Sequence, residues 1–233
     1  GMLPSNERFV DPPSPVRAQG TGPDVVELFR GCVAPILLPG VEPAARRLLA
    51  AAGLDARIPA GQGCCGALAW HHGDPEIARA CLRRNLHAFA GGSGPIVVTA
   101  AGCGAAMREA PDWLGEDDPL HAAASAFAAR VRDLTEILDE RGDRLRMTET
   151  AGRVAYQDAC HLKQVQGISE PPRRLLRRIP GLDLREGRDA PNCCGSAGLY
   201  SFIHPEISGR LAADLLDALA PESVSWLVTA NPG

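Results

Sequence analysis

With 233 residues, 45% of them apolar and 22% charged, the chain has the makings of one large globular domain or two small ones. A formal charge of −4 and few aromatics exclude a basic, base-stacking nucleic-acid surface, and no run of about 18 apolar residues offers a membrane span. We read no secretory signal at the N-terminus, so the eight cysteines belong to a cytoplasmic chain and point to ligands or reactive thiols rather than disulfides.

In chain order, Gly1 before Met2 reads as the remnant of a removed tag, and residues 1–23, rich in proline, read as a linker or exposed arm. VVELF (25–29) reads as a buried strand running into Gly31-Cys32, and PGVEPAARRLLAAAG (39–53) as a helix stopped by Gly53. A short strand near Ala56–Ile58 leads to GQGCCGAL (61–68). Asp74 caps a helix with Pro75 in its first turn and Gly91 past its end. PIVVTAAGC (95–103) is strand then turn, and Asp118-Pro119 is expected to open one long amphipathic helix to about Leu138.

The second half repeats the order. RVAYQDAC (153–160) is a strand ending in a cysteine, PPRRLLRRIPG (171–181) a helix, and LDLRE (182–186) a strand leading to PNCCGSAG (191–198). Pro205 opens a helix to about Leu219, and SWLVTA (225–230) is the last strand. Cys32 and Cys160 stand 128 residues apart; Cys64 and Cys193, like Cys65 and Cys194, stand 129 apart. Val98-Thr99-Ala100 meets Val228-Thr229-Ala230 at 130. This is a duplication.

Strands alternating with helices favour parallel sheets with right-handed crossovers. The expected fold is therefore α/β, with two pseudo-symmetric halves, residues 24–147 and 148–233, each a small parallel sheet flanked by helices. Loops after parallel strands gather on the carboxyl edge of the sheet. The CCG loops would lie on those edges, with Cys32, Cys64, Cys65 and Cys103 meeting in one half and Cys160, Cys193 and Cys194 in the other. Such a thiolate cup has several possible contents. A disulfide is disfavoured, because adjacent cysteines cannot bridge each other without strain. Structural zinc takes four thiolates, but from pairs spaced two to four residues apart. An iron–sulfur cluster spreads its irons over a larger body, so neighbouring thiolates can bind different irons, and the spacing favours it. Uncommitted thiols remain the fourth reading.

CVAPILLPGVEPAARRLL, GQGCCGALAWHHGD, VTAAGC, YQDACHLKQVQG and NCCGSAGLYSFIHPE closely resemble the cysteine-rich CCG family. That family includes the glycolate oxidase iron–sulfur subunit, the cysteine-rich subunit of heterodisulfide reductase and the lactate-utilisation iron–sulfur protein; the likeness is to the C-terminal half of the first, over residues 24–233. The resemblance implies a 4Fe–4S electron-transfer subunit that takes electrons from a partner flavoprotein oxidising glycolate. It would have no substrate-oxidising site of its own, and any membrane association would be peripheral. It also implies that the seven cysteines named above are ligands. Three departures stand out. The N-terminal ferredoxin-like part is missing, so we expect a C-terminal fragment. Ala106 stands where a second cysteine of Cys-x-x-Cys belongs. The second motif ends at Gly233, where symmetry and family both expect a cysteine next. The alternatives are a thiol–disulfide redox subunit like heterodisulfide reductase, which needs the absent fifth thiolates, and a zinc-stabilised interaction module.

Other residues have plainer readings. Cys81, four residues after Ile77 and beside Leu82 and Leu86, is expected to pack in the core. His71 and His72 read as surface or cap histidines, and His161 as packing or a hydrogen-bond partner to ligand sulfur. Lys163 reads as exposed, RRLLRR (173–178) as a solvated amphipathic helix, and Trp70, Trp113 and Trp226 as core or interface fillers. No hydrolase constellation or dinucleotide fingerprint is present.

Overall fold

The computed structural model describes residues 24–186, 193–219 and 224–232. The expected arm (1–23), Pro191-Asn192 and Gly233 lie outside the described residues. Strand β1 (Asp24–Phe29) is followed by α1 (Ala34–Leu37), α2 (Val41–Ala51), β2 (Leu54–Arg57), α3 (Ala67–His71), α4 (Pro75–Phe89), β3 (Ile96–Val98) and α5 (Ala101–Arg108). Then come α6 (His121–Arg130), β4 (Val131–Asp133) and α7 (Leu134–Glu140). The second half contains β5 (Gly152–Gln157), a π-turn (His161–Val165), α8 (Glu170–Arg177), β6 (Leu182–Arg185), α9 (Tyr200–Ile203), α10 (Pro205–Leu219) and β7 (Trp226–Thr229).

Both sheets are wholly parallel. The first runs β2-β1-β3-β4 and the second β6-β5-β7, so the first strand of each half is central and its next two strands flank it. The registers agree as well: Val26 faces Ala56 and Val154 faces Leu184, each residue 128 further on than its counterpart. The fold is α/β in two halves, as the doubled spacing requires.

In the first half, successive side chains on the strands alternate between two cores. Val26, Leu28 and Val97 pack against α2 and α7 through Leu49, Ala45, Ile137 and Leu138. Phe29, Ile96 and Val98 pack the other way, against Leu82, Leu86 and Phe89 of α4 and Phe127 of α6. Burial on both faces explains the continuous apolar runs of β1 and β3, and each buried Leu, Val or Phe contributes on the order of 2 kcal/mol. The second sheet is more open. Val154 to Gln157 of β5 are buried, but Trp226 and Leu227 on the flanking β7 remain 46% and 43% exposed. Trp113, by contrast, is buried and stacks on Trp70 at 4.9 Å.

One expectation is corrected here. The long helix from Asp118 to Leu138 is two helices with β4 between them. Val131 is buried beside β3, and Asp133 ends the strand by capping α7: it accepts from the Thr135 N–H while Glu136 accepts from its own backbone N–H, a reciprocal box. Helix α8 is amphipathic and keeps Arg174 and Arg177 exposed, as expected, but its arginines are paired. Arg173 forks onto Asp158 at 2.7 and 2.8 Å and also meets Glu186, Arg174 meets Asp139 of α7 at 2.6 Å, and Leu175 packs on the first-half core. Arg174 fastens the second half to the first, while Arg173 ties α8 within the second half. A small apolar cluster of Ala101, Ala159, Leu162, Ile168 and Ala230 completes that joint, with the Ala101 N–H donating to the Ala230 carbonyl.

Candidate functional site

The carboxyl ends of β1, β2 and β3 deliver the first set of cysteines. Cys32 follows β1, Cys64 and Cys65 follow β2, and Cys103 lies in the first turn of α5, a helix where a turn was expected. The sulfurs meet in two contacts: Cys32 with Cys64 at 3.3 Å and Cys65 with Cys103 at 3.3 Å. Gly31 joins the pairs, since a Cβ there would sit 4.0 Å from the Cys103 sulfur, and its φ of 70° suits glycine. The cup is open at Cys32, which is exposed, and closed at Cys65, which is buried. Among the described residues no three His, Cys, Asp or Glu side chains converge as ligands of one ion. Two sulfur pairs of this kind suit a multinuclear group better than a lone tetrahedral ion.

The loop that carries Cys64 and Cys65 is held from below by α4. Buried Asn85 accepts from the Gly63 N–H at 2.9 Å and donates to the Cys64 carbonyl at 2.8 Å, while Arg84 donates to the Gly61 carbonyl. Gly66, at φ 88°, turns the chain and aims its N–H at the Cys64 sulfur, 3.4 Å away. The second loop repeats this turn: Gly195, at φ 81°, aims its N–H at the Cys193 sulfur, also 3.4 Å away. N–H donors of this kind stabilise thiolate charge and tune a bound metal group.

Three thiols of the first cup, Cys32, Cys64 and Cys65, are held protonated. Burial, then the Cys64 contact, pushes Cys32 up to about 11. Hydrogen bonding to Cys65, then burial, raises Cys64, and hydrogen bonding to Cys103 together with burial raises Cys65. Deprotonation must therefore accompany metal binding, because the thiolate is the ligand.

In the second half, Cys160 precedes the π-turn, Cys193 is exposed and Cys194 half-buried. Burial chiefly raises the Cys160 thiol, with Cys194 and Cys193 as charged neighbours. The Cys160 sulfur lies 3.4 Å from His161 Nδ1. Burial, and then His71, lowers His161, so its ring is neutral at pH 7. His71, from α3 of the first half, sits with its ring centroid 5.8 Å from that of His161. The two sites therefore adjoin. A Cβ on Gly198 would lie 3.2 Å from Leu68, and the Gly102 N–H donates to Asn231 Oδ1 at 3.1 Å.

Cys32, Cys64, Cys65 and Cys103 lie in the segments that follow β1, β2 and β3 and gather there, while Cys160 follows β5. Sequence reasoning missed the grip of Asn85 and the facing of His71 on His161, neither of which leaves a spacing signal. It also misplaced Cys81. That residue is half-buried and stands apart from the core clusters of its helix neighbours Ala78, Leu82 and Leu86. Lys163 is exposed, as expected, and pairs with Asp158 at 3.1 Å.

Comparison with known proteins places these loops in context. The family model of the CCG cysteine-rich domain matches residues 26–108 and again 154–233. The chain is 36% identical over 212 residues to the probable glycolate oxidase iron–sulfur subunit of Bacillus subtilis (strain 168), covering 89% of this chain and 48% of that protein. It is 30% identical over 249 aligned residues to the glycolate oxidase iron–sulfur subunit of Escherichia coli (strain K12), covering 100% and 59%. To lactate utilization protein A of Geobacillus kaustophilus it is 29% identical over 213 residues, covering 89% and 87%. The chain thus spans about half the length of the first two of these relatives.

Proposed function

The chain belongs to the CCG cysteine-rich domain family, and from that premise we propose that it is the cluster-binding part of an iron–sulfur electron-transfer subunit. The subunit would act in the cytoplasm beside a flavoprotein that oxidises glycolate or a similar 2-hydroxy acid. The observation that carries this reading is the doubled CCG turn, with the same N–H to sulfur bond in both halves and four thiols gathered in the first. An iron–sulfur cluster of the 4Fe–4S kind, when bound, supplies one-electron redox chemistry. Cys32, Cys64, Cys65 and Cys103 hold it in the first half; Cys160, Cys193 and Cys194 serve the second.

The remaining work belongs to the protein. Asn85 and Arg84 fix the loop before any ligand arrives, so little ordering is left to accomplish on binding. Burial of Cys65 keeps water from the inner end, while exposed Cys32 leaves the outer end facing a partner. Exposed apolar residues follow the cysteine loops in the chain: Ile36 and Leu37 after Cys32 are 78% and 62% exposed, and Phe202 and Ile203 after the second CCG are 81% and 57% exposed. Apolar groups exposed on that scale suit a protein partner. No helix among the described residues is long and apolar enough to cross a membrane.

The test is reduction through the partner. After anaerobic reconstitution the visible absorption should bleach when glycolate and the flavoprotein subunit are added together, and stay unchanged with glycolate alone. Bleaching by glycolate without the flavoprotein, or none in the full mixture despite reduction by dithionite, overturns the assignment.

A further inference from the structure

Helix α4 runs along the first CCG loop in the reverse direction. Ala78 meets Gly66, where a Cβ would stand 3.0 Å from the Ala78 carbonyl oxygen, and Asn85, two turns on, grips Gly63 and Cys64. Cys81 lies between them on the same stripe, three residues after Ala78 and four before Asn85, which are the helical spacings that share a face. Cys81 is half-buried on the stripe that α4 lays against the loop. Asn85 reaches the Cys64 carbonyl at 2.8 Å, so the turn of α4 that carries Cys81 lies beside the Cys64 backbone. The helix has fifteen residues and is capped by Asp74, whose side chain accepts from the Ile77 N–H at 3.2 Å, so the thiol is carried on a rigid element. The second half has no such group. The offset that aligns Pro75 with Pro205 places Leu211 opposite Cys81.

We infer that Cys81 is a fifth sulfur donor of the first cup, presented by α4 beside Cys64; the inference rests on the reading of that cup as an iron–sulfur site. Ala106, one turn after Cys103 on α5, offers only a buried methyl, so the extra sulfur comes from the opposite wall of the cup. The first cup then holds Cys32, Cys64, Cys65, Cys103 and Cys81, all soft donors that select iron–sulfur groups over hard cations.

The test uses the full chain. Reduced apo protein and protein reconstituted anaerobically with ferrous iron and sulfide are alkylated with iodoacetamide, and each cysteine is followed by peptide mass spectrometry. Cluster binding should slow alkylation of Cys81 by roughly tenfold or more, together with Cys64 and Cys65, because a metal-bound thiolate is no longer a free nucleophile. Shielding without ligation is excluded by a second measurement. Loaded Cys81→Ser should differ from wild type in its electron paramagnetic resonance spectrum and lose iron faster to a chelator. Full iron and sulfide binding with Cys81 still alkylated at the apo rate overturns this assignment alone, as does a Cys81→Ser spectrum identical to wild type. A wild-type chain that takes up neither iron nor sulfide overturns the cluster reading and this inference with it.

Discussion

A Cβ on Gly195 would come within 2.5 Å of the Ser208 carbonyl oxygen, and one on Gly66 within 3.0 Å of the Ala78 carbonyl oxygen and 3.1 Å of Trp113. Both glycines also hold a left-handed φ that costs an L-residue about 1–2 kcal/mol. Gly195→Ala should therefore destabilise the chain by about 2 kcal/mol or more, read as a fall in the denaturation midpoint; an unchanged midpoint would mean the turn is not held as described. Asn85→Ala removes both partners of the first loop at once, leaving the Gly63 N–H and the Cys64 carbonyl unsatisfied. A loss of roughly 2–3 kcal/mol is expected, with poorer iron uptake on reconstitution. Cys65→Ser replaces the most buried thiol with a hydroxyl, a poor ligand for iron at neutral pH. Iron recovered anaerobically should fall by about one cluster, and equal iron in both proteins would remove Cys65 from the ligand set.

Among the elements, α8 joins the halves through Arg174 and Asp139, and its other ion pair, Arg173 with Asp158 inside the second half, gives that half a pH dependence. Burial raises the Asp158 carboxyl, but Arg173 and Lys163 outweigh it and hold the group below its ordinary value; Glu186 shares the same arginine. A depressed carboxylate stabilises the fold above its unfolded value near pH 4, and that contribution is lost as pH falls through the lower folded value. Asp158→Asn should thus unfold at lower denaturant than wild type at pH 7, with the gap closing towards pH 3. A gap that stays constant over that range would show that the charge of Asp158 is immaterial. The misreading of residues 118–138 belongs to this scale too. Phe127, Val131, Leu134 and Leu138 keep helical spacing straight across β4, so periodicity alone cannot see the strand. The Asp133-x-x-Glu136 box was the available signal, and it marks where the second helix starts.

At the scale of the whole molecule, the duplication was the most legible feature. Cysteine landmarks at 128 and 129 residues map onto two parallel sheets with the same strand order and matching β1–β2 and β5–β6 registers. The grouping of Cys32, Cys64, Cys65 and Cys103 was legible for the same reason, since loops after parallel strands share an edge. What stayed hidden depends on packing between elements. Cys81 passes for core among its apolar helix neighbours, and the seating of α4 on the CCG loop through Asn85 leaves no spacing signal. The arginines of α8 resemble a surface run until Asp139 and Asp158 meet them from elements 35 and 15 residues away.

The claim that these thiols hold an iron–sulfur group is tested most directly by quantifying iron, acid-labile sulfide and zinc per chain after anaerobic preparation. The account predicts iron and sulfide in near-equal amounts, roughly four of each for every filled cup, with zinc negligible. Zinc without acid-labile sulfide would contradict it.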